Sequence, residues 1–211
     1  MQPLLVSTAY LPPIEIFSAL LKHETVFIEK HENFVKQTYR NRCEILSANG
    51  KLALSIPLEK NAVKELITEK RISYAENWQI KHWRAITSAY KNSAYFEYFE
   101  EDFKPFYFEK HDYLFDYNLG LINTILRLLR IKKEFLFTNE YQKEFAGHDL
   151  RSLTPKPETR NQKPGTRNQE PETGNKEYYQ VFSDKFGFTP NLSVIDLLFN
   201  KGLETRDYLS L

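Results

Sequence analysis

Residues 154–175 read TPKPETRNQKPGTRNQEPETGN and hold no aromatic or large aliphatic side chain. The run repeats itself: Thr159-Arg160-Asn161-Gln162-Lys163-Pro164-Gly165 is followed by Thr166-Arg167-Asn168-Gln169-Glu170-Pro171-Glu172, and Thr173 opens a truncated third copy. A seven-residue period without apolar a and d positions is not a coiled coil. Proline and glycine recur in it where a helix needs neither. Such a segment buries too little to offset the entropy of ordering it, so a disordered surface insertion is predicted. The fold is thereby confined to residues 1–153 and 176–211. The second piece is too short to hold a core alone and is expected to pack on the first, making one domain with a long excursion.

The chain can build a substantial core for its length. Sixteen Phe, 13 Tyr and 2 Trp among 211 residues bring large buriable areas. Twenty-nine Lys and Arg stand against 28 Asp and Glu, a formal net charge of +1, so no whole-protein field draws in nucleic acid or an anionic membrane. No stretch approaches the roughly 20 apolar residues of a membrane span. The start, MQPLLVSTAYLPP, has no basic n-region and no long apolar core, so no signal peptide is read there. The lone Cys43 allows no intrachain disulfide, lies in an apolar run and reads as a small buried hydrophobe. These features favour a reducing compartment, and a cytoplasmic protein is expected.

Along the chain, residues 4–10 (LLVSTAY) predict a strand, Pro12-Pro13 opens a helix to about His23, and residues 25–29 (TVFIE) predict a second strand. This is a β-α-β start. Residues 43–46 and 52–58 flank Ser-Ala-Asn-Gly, the strongest short-range hairpin signal. Residues 65–73 suggest another strand, and helices are predicted over about 77–93 and 119–131, the latter capped by Asn118 or Asp116. The acidic, aromatic run 96–117 reads as a helix face with an aromatic stripe rather than as paired catalytic carboxylates. Beyond the insertion, 178–182 (YYQVF) looks strand-like, and 192–200 reads as a helix with Ser193 as cap and Gly202 near its end. The predicted class is mixed α/β: one domain with a small mixed sheet started by the β-α-β unit, a β-hairpin and several packed helices.

Three stretches carry candidate chemistry. At the first β-to-α corner, Ser7, Thr8 and Tyr10 would sit beyond the carboxyl end of a strand, where open α/β folds bind ligands, although ordinary turn polarity reads as well. No glycine lies there, so it is neither a Walker loop nor a Rossmann fingerprint. The second stretch is Lys36-Gln37-Thr38-Tyr39-Arg40-Asn41-Arg42-Cys43. If extended, it would set Lys36, Thr38, Arg40 and Arg42 on one face as an anion-binding row, or as the protective charges of an edge strand. The third stretch spans 77–90: Trp78, His82, Ile86 and Tyr90 recur every four residues, placing His82 on an aromatic face. There it is a satisfied core histidine or a general base tuned by partial burial. His23, His31, His111 and His148 are scattered without metal-ligand spacing, so no metal and no cofactor are expected.

Four stretches together resemble the WbqC-like protein family: 7–20 (STAYLPPIEIFSAL), 36–45 with the Ile-Pro-Leu that follows, 77–99 (NWQIKHWRAITSAYKNSAYFEYF) and 190–202 (PNLSVIDLLFNKG). The matching positions are Tyr10, Pro12, Lys36, Thr38, Asn41, Arg42, Trp78, His82, Tyr90, Asp196 and Asn200. Many members of the family place a histidine about where this chain has Val6, which leaves His82 as the candidate base. The family is named for a gene in a surface-polysaccharide (O-antigen) cluster. The resemblance therefore implies a role in making or modifying bacterial cell-surface sugars.

On this reading the chain is a metal-independent group transferase, moving an acyl, aminoacyl or glycosyl group on a phosphorylated or nucleotide-linked sugar. His82 would move the proton. Ser7, Tyr10, Lys36, Thr38, Arg40, Asn41, Arg42 and Tyr90 would bind the substrate. The alternative is a non-catalytic binding or accessory protein of the same pathway.

Overall fold

The computed structural model describes residues 2–60, 64–155 and 176–210. Most of the predicted insertion, 156–175, lies outside the described residues. The chain opens with β1 (Leu4–Val6), α1 (Ile14–Lys22) and β2 (Val26–Ile28). β1 and β2 pair in parallel, with Leu4 opposite Val26 and Val6 opposite Ile28. All but one of their residues are buried, as strands covered on both faces should be. α1 starts behind Pro13, whose fixed φ of −64° suits a helix entrance. It buries Ile14, Ile16, Phe17 and Leu20.

The N-terminal strand ends at Val6, not Tyr10, because the chain leaves the sheet there: the Tyr10 N–H bonds the Tyr39 carbonyl at 2.8 Å. Residues 36–41 are turns rather than an extended row. Gln37 takes φ +59°, and the Thr38 hydroxyl closes back on the Val35 carbonyl at 2.8 Å. Extension begins only at Arg42, so the proposed Lys36/Thr38/Arg40/Arg42 face does not form. β3 (Arg42–Ser47) and β4 (Gly50–Ser55) are the predicted hairpin, with Ser47 opposite Gly50 and Gly50 at φ +103°, a conformation glycine alone adopts freely. Residues 65–73 make no strand. A turn in which the Glu69 N–H bonds the Leu66 carbonyl sends the two ends to different neighbours, leaving single bridges from Leu66 to Asn33 and from Ile72 to Leu58.

The helices α2 (Trp78–Tyr90), α3 (Phe96–Phe108) and α4 (Leu114–Leu128) follow. α4 begins five residues earlier than its apolar stripe suggests. Tyr113 is the residue before its first turn, and Asn118, read from sequence as a cap, lies fully buried inside the helix. Two very short strands complete the sheet: β5 (Leu136–Phe137) beside β2, and β6 (His148–Asp149) beside β1. The order is β5-β2-β1-β6, all parallel, and the β3–β4 hairpin stands as a separate antiparallel pair.

The C-terminal piece holds α5 (Ser183–Phe186), α6 (Val194–Lys201) and α7 (Thr205–Leu209). α6 is sunk in the core, where Phe199 meets Tyr90, Phe96 and Phe103 with ring centroids 5.3, 5.1 and 5.5 Å away. Ser193 caps α6, as the sequence predicts, and its hydroxyl also donates to the Leu11 carbonyl at 2.9 Å. Within the strand-like stretch 178–182, residues 178–180 keep the alternating burial of a strand without pairing as one. Their inward side chains satisfy themselves on the buried carboxyl of Asp196 instead: Tyr178 Oη donates to it at 2.5 Å and Gln180 Nε2 at 3.0 Å.

Candidate functional site

In an all-parallel sheet every carboxyl end lies on the same edge. Here that edge gathers Ser7 and Thr8 after β1, Glu29 and Glu32 after β2, Thr138 after β5, and Arg151 after β6. The groups bond to one another. Arg40, brought in by the turn that precedes β3, donates from Nε to Glu32 Oε1 at 2.8 Å and from Nη2 to Glu32 Oε2 at 2.5 Å. The same Nη2 reaches Ser7 Oγ at 2.7 Å, and Ser7 Oγ donates to Glu32 Oε2 at 3.0 Å. Glu29 accepts from Thr138 Oγ1 at 2.6 Å, from the Gln142 and His31 backbone N–H groups at 3.0 and 2.8 Å, and from Arg151 Nη1 at 3.3 Å. Arg151 also pairs with Asp149 at 2.6 Å, which raises the guanidinium above its ordinary value. Burial opposes the charged form of Asp149, but the bonds from Arg151 outweigh it and hold the carboxyl below its ordinary value.

Glu29, Glu32 and Arg40 are 0%, 5% and 4% exposed. Carboxylates and guanidinium so far from water are tolerable only because each is paired and further hydrogen-bonded. Between the two arginines opens a small, shallow depression that faces solvent. Ser7, Thr8, Arg40 and Arg151 line it together with Tyr39 and apolar residues that include Ala9, Leu150 and Leu153. Thr8 is buried there, and its hydroxyl has no partner among the described residues.

Of the side chains singled out from sequence as candidate chemistry, Ser7, Thr8 and Arg40 come together at this depression. His82 and Tyr10 meet each other elsewhere, in the core. Tyr10 Oη lies 3.0 Å from His82 Nδ1 and 3.0 Å from Tyr107 Oη, and Trp78 packs edge-on against the imidazole at 5.1 Å. Burial pulls the His82 pKa from 6.5 down to about 4, only partly opposed by a hydrogen bond to the Ser55 backbone. The imidazole is therefore neutral at pH 7, and the Tyr10 phenol, pushed well up by burial, keeps its proton. The remaining candidates are dispersed. Lys36 is exposed, and Thr38 is engaged in its own turn. Asn41 Nδ2 holds the Ile56 carbonyl at 2.9 Å. Arg42 pairs with Glu44 at 3.7 Å, and Tyr90 packs on Phe199 with its hydroxyl toward Asp196.

Sequence reasoning missed Glu29, Glu32, Asp149 and Arg151. Glu29 and Glu32 carry a weak signal, two carboxylates directly after an apolar strand; Asp149 and Arg151 carry none, because β6 is two polar residues. Among the described residues no cluster of three or more His, Cys, Asp or Glu is placed to hold a metal ion. None of the described helices is long and apolar enough to cross a membrane.

The fold and the site define a small α/β protein with an open parallel sheet and a polar cleft at the carboxyl edge, the usual ligand position in such sheets. The chain belongs to the WbqC-like protein family, which matches residues 8–156 and so includes Thr8, Arg40 and Arg151. It is also 26% identical over 226 aligned residues to the uncharacterized protein Rv1507c of Mycobacterium tuberculosis (strain ATCC 25618 / H37Rv), covering 97% of this chain and 96% of that one. No solved structure matches it.

Proposed function

We propose that this chain is a group transferase of bacterial cell-surface polysaccharide biosynthesis and that its sugar-linked substrate sits at the carboxyl edge of the sheet. The observation that carries the reading is the depression lined by Ser7, Thr8, Arg40 and Arg151, where the carboxyl ends of β1 and β6 meet the turn that precedes β3. The polysaccharide context comes from the family resemblance. The depression is shallow and has room for little more than one water-sized group. It therefore takes one group of a larger molecule, and the remainder of a nucleotide-linked or phosphorylated sugar would lie outside it.

Ser7 holds that group in this reading, and Arg40 steadies Ser7 through its 2.7 Å bond. The Tyr10 backbone N–H ties the Ser7–Thr8 arm of the site to the Tyr39–Arg40 arm, while its side chain meets His82 in the core. One observation favours a non-catalytic accessory protein of the same pathway: the imidazole picked from sequence as the base is sealed away from the depression, with its pKa drawn down to about 4. Thermal-shift and turnover screening with nucleotide-linked and phosphorylated sugars, in the presence of acceptors and acyl donors, separates the two. A raised Tm with conversion that Ser7→Ala abolishes supports the transferase. A raised Tm with no conversion under any donor supports the accessory role, and no shift with any sugar removes both.

A further inference from the structure

Beside the guanidinium N–H groups, the hydrogen-bonding capacity left over at the depression lies on two hydroxyls. A serine hydroxyl has one proton and two lone pairs. At Ser7 the proton goes to Glu32 Oε2, and one lone pair is taken by Arg40 Nη2. The remaining lone pair can only accept, so a ligand atom that meets it has to donate. Thr8 adds a buried hydroxyl with no partner, able both to donate and to accept. The charge balance runs the same way. The bonded network of the edge sets two guanidiniums, Arg40 and Arg151, against three carboxylates, Glu29, Glu32 and Asp149. A fully ionised sugar phosphate there would bring more negative charge to a site already short of positive charge, and its unprotonated oxygens could not donate to Ser7. Half-buried Leu150 and Leu153 flank the polar groups and add a small apolar rim.

Resting on the substrate reading above, we infer that the depression recognises a hydroxyl on the uncharged part of the sugar and not the phosphate, with Thr8 and Ser7 as the residues that read it, the rest of the ring lying outside. The arginines shape the site by holding Glu29 and Glu32. They do not grip an anion. Thr8→Val tests this with two readouts that move apart. In the free protein the change removes a buried hydroxyl that bonds nothing, so Tm stays level or rises. In the complex it removes a hydrogen bond, so affinity falls about 2- to 10-fold. A merely structural threonine would lower Tm and leave affinity alone.

The probes are glucose and N-acetylglucosamine as neutral rings, glucose 1-phosphate, and inorganic phosphate, each titrated into the full chain and followed by backbone amide shifts in NMR. The expected result is that the neutral rings and glucose 1-phosphate shift the Ser7–Ala9 and Arg40 amides, that inorganic phosphate does not, and that Thr8→Val weakens the first three. If inorganic phosphate displaces glucose 1-phosphate and the neutral rings do not bind, the inference is overturned while the sugar-linked substrate reading stands. Binding of neutral rings that Thr8→Val leaves untouched overturns the placement of the hydroxyl. No shift with any of the four overturns the inference and the substrate reading together.

Discussion

Arg40 closes on Glu32 through two nitrogens, Nε to Oε1 at 2.8 Å and Nη2 to Oε2 at 2.5 Å, with almost none of either side chain in contact with water. A planar guanidinium matches a carboxylate in this fork-to-fork manner, which lysine cannot reproduce. The pair fastens the turn before the hairpin to the carboxyl end of β2, and Asn118 of α4 secures the same turn from behind by donating to the Arg40 carbonyl at 2.7 Å. The edge of the sheet is thus assembled from three distant parts of the chain.

Removing one partner of this pair should be costly, because the other is left charged in a dry site. Glu32→Gln and Arg40→Met are each expected to destabilise the fold by about 3–5 kcal/mol in urea unfolding. Combining Arg40→Met with Glu32→Leu should restore most of that loss, since no charge is then stranded. Single substitutions costing under about 1 kcal/mol would mean that the pair behaves like an exposed one.

His82 makes stability depend on pH in a defined window. Its pKa is about 4 in the fold against 6.5 for the free side chain, so the unfolded chain takes up the proton first. The stability it contributes is complete above pH 6.5 and is lost as pH falls from 6.5 to 4, a span worth about 3 kcal/mol. His82→Gln should flatten unfolding free energy against pH between those values, relative to the parent protein. An imidazole ¹⁵N titration with a midpoint near 6.5 in the folded protein would refute the premise directly.

Ser193 joins the C-terminal piece to the strained corner before α1. Its hydroxyl accepts from the Ile195 N–H at 3.5 Å and donates to the carbonyl of Leu11, a fully buried residue held at φ +42°. Ser193→Ala should cost about 1–2 kcal/mol by removing the cap and orphaning that carbonyl. Ser193→Thr keeps the hydroxyl and should recover part of the loss. Equal denaturation midpoints for all three proteins would show that the hydroxyl is not needed at either end.

Local signals were readable wherever neighbours in sequence do the work. The apolar stripes of α1, α2 and α6, the Asn49-Gly50 hairpin and the Ser193 cap depend on contacts within a turn or two of chain, and each appears as read. The aromatic run 96–117 likewise divides into α3 and the start of α4, with Phe103 and Tyr107 inward and Asp102 outward on Arg127 at 2.8 Å. At 178–182 the alternating pattern was legible and its meaning was not. Period-two burial needs only an inward and an outward side, and here a buried aspartate rather than a neighbouring strand supplies the inward partner.

The candidate site divides in the same way. Ser7 and Thr8 were legible as the end of a strand. Arg40 was legible as a notable cation but not as half of a buried pair, because Glu32 lies eight residues before it across a turn whose Gln37 sits at positive φ. Arg151 could not be found from sequence, since β5 and β6 are two residues each and exist only by pairing with the already formed β2 and β1.

By itself, then, the sequence determined α1, α2 and α6, the hairpin, the β-α-β start and the family, all carried by periodicity, caps and turns that act over short spans. The tertiary structure alone decided which charges meet and which polar groups are left over. Those outcomes depend on strand neighbours and on desolvation, and both come into being only when residues 7, 29, 32, 40, 138 and 151 reach the same edge of the sheet.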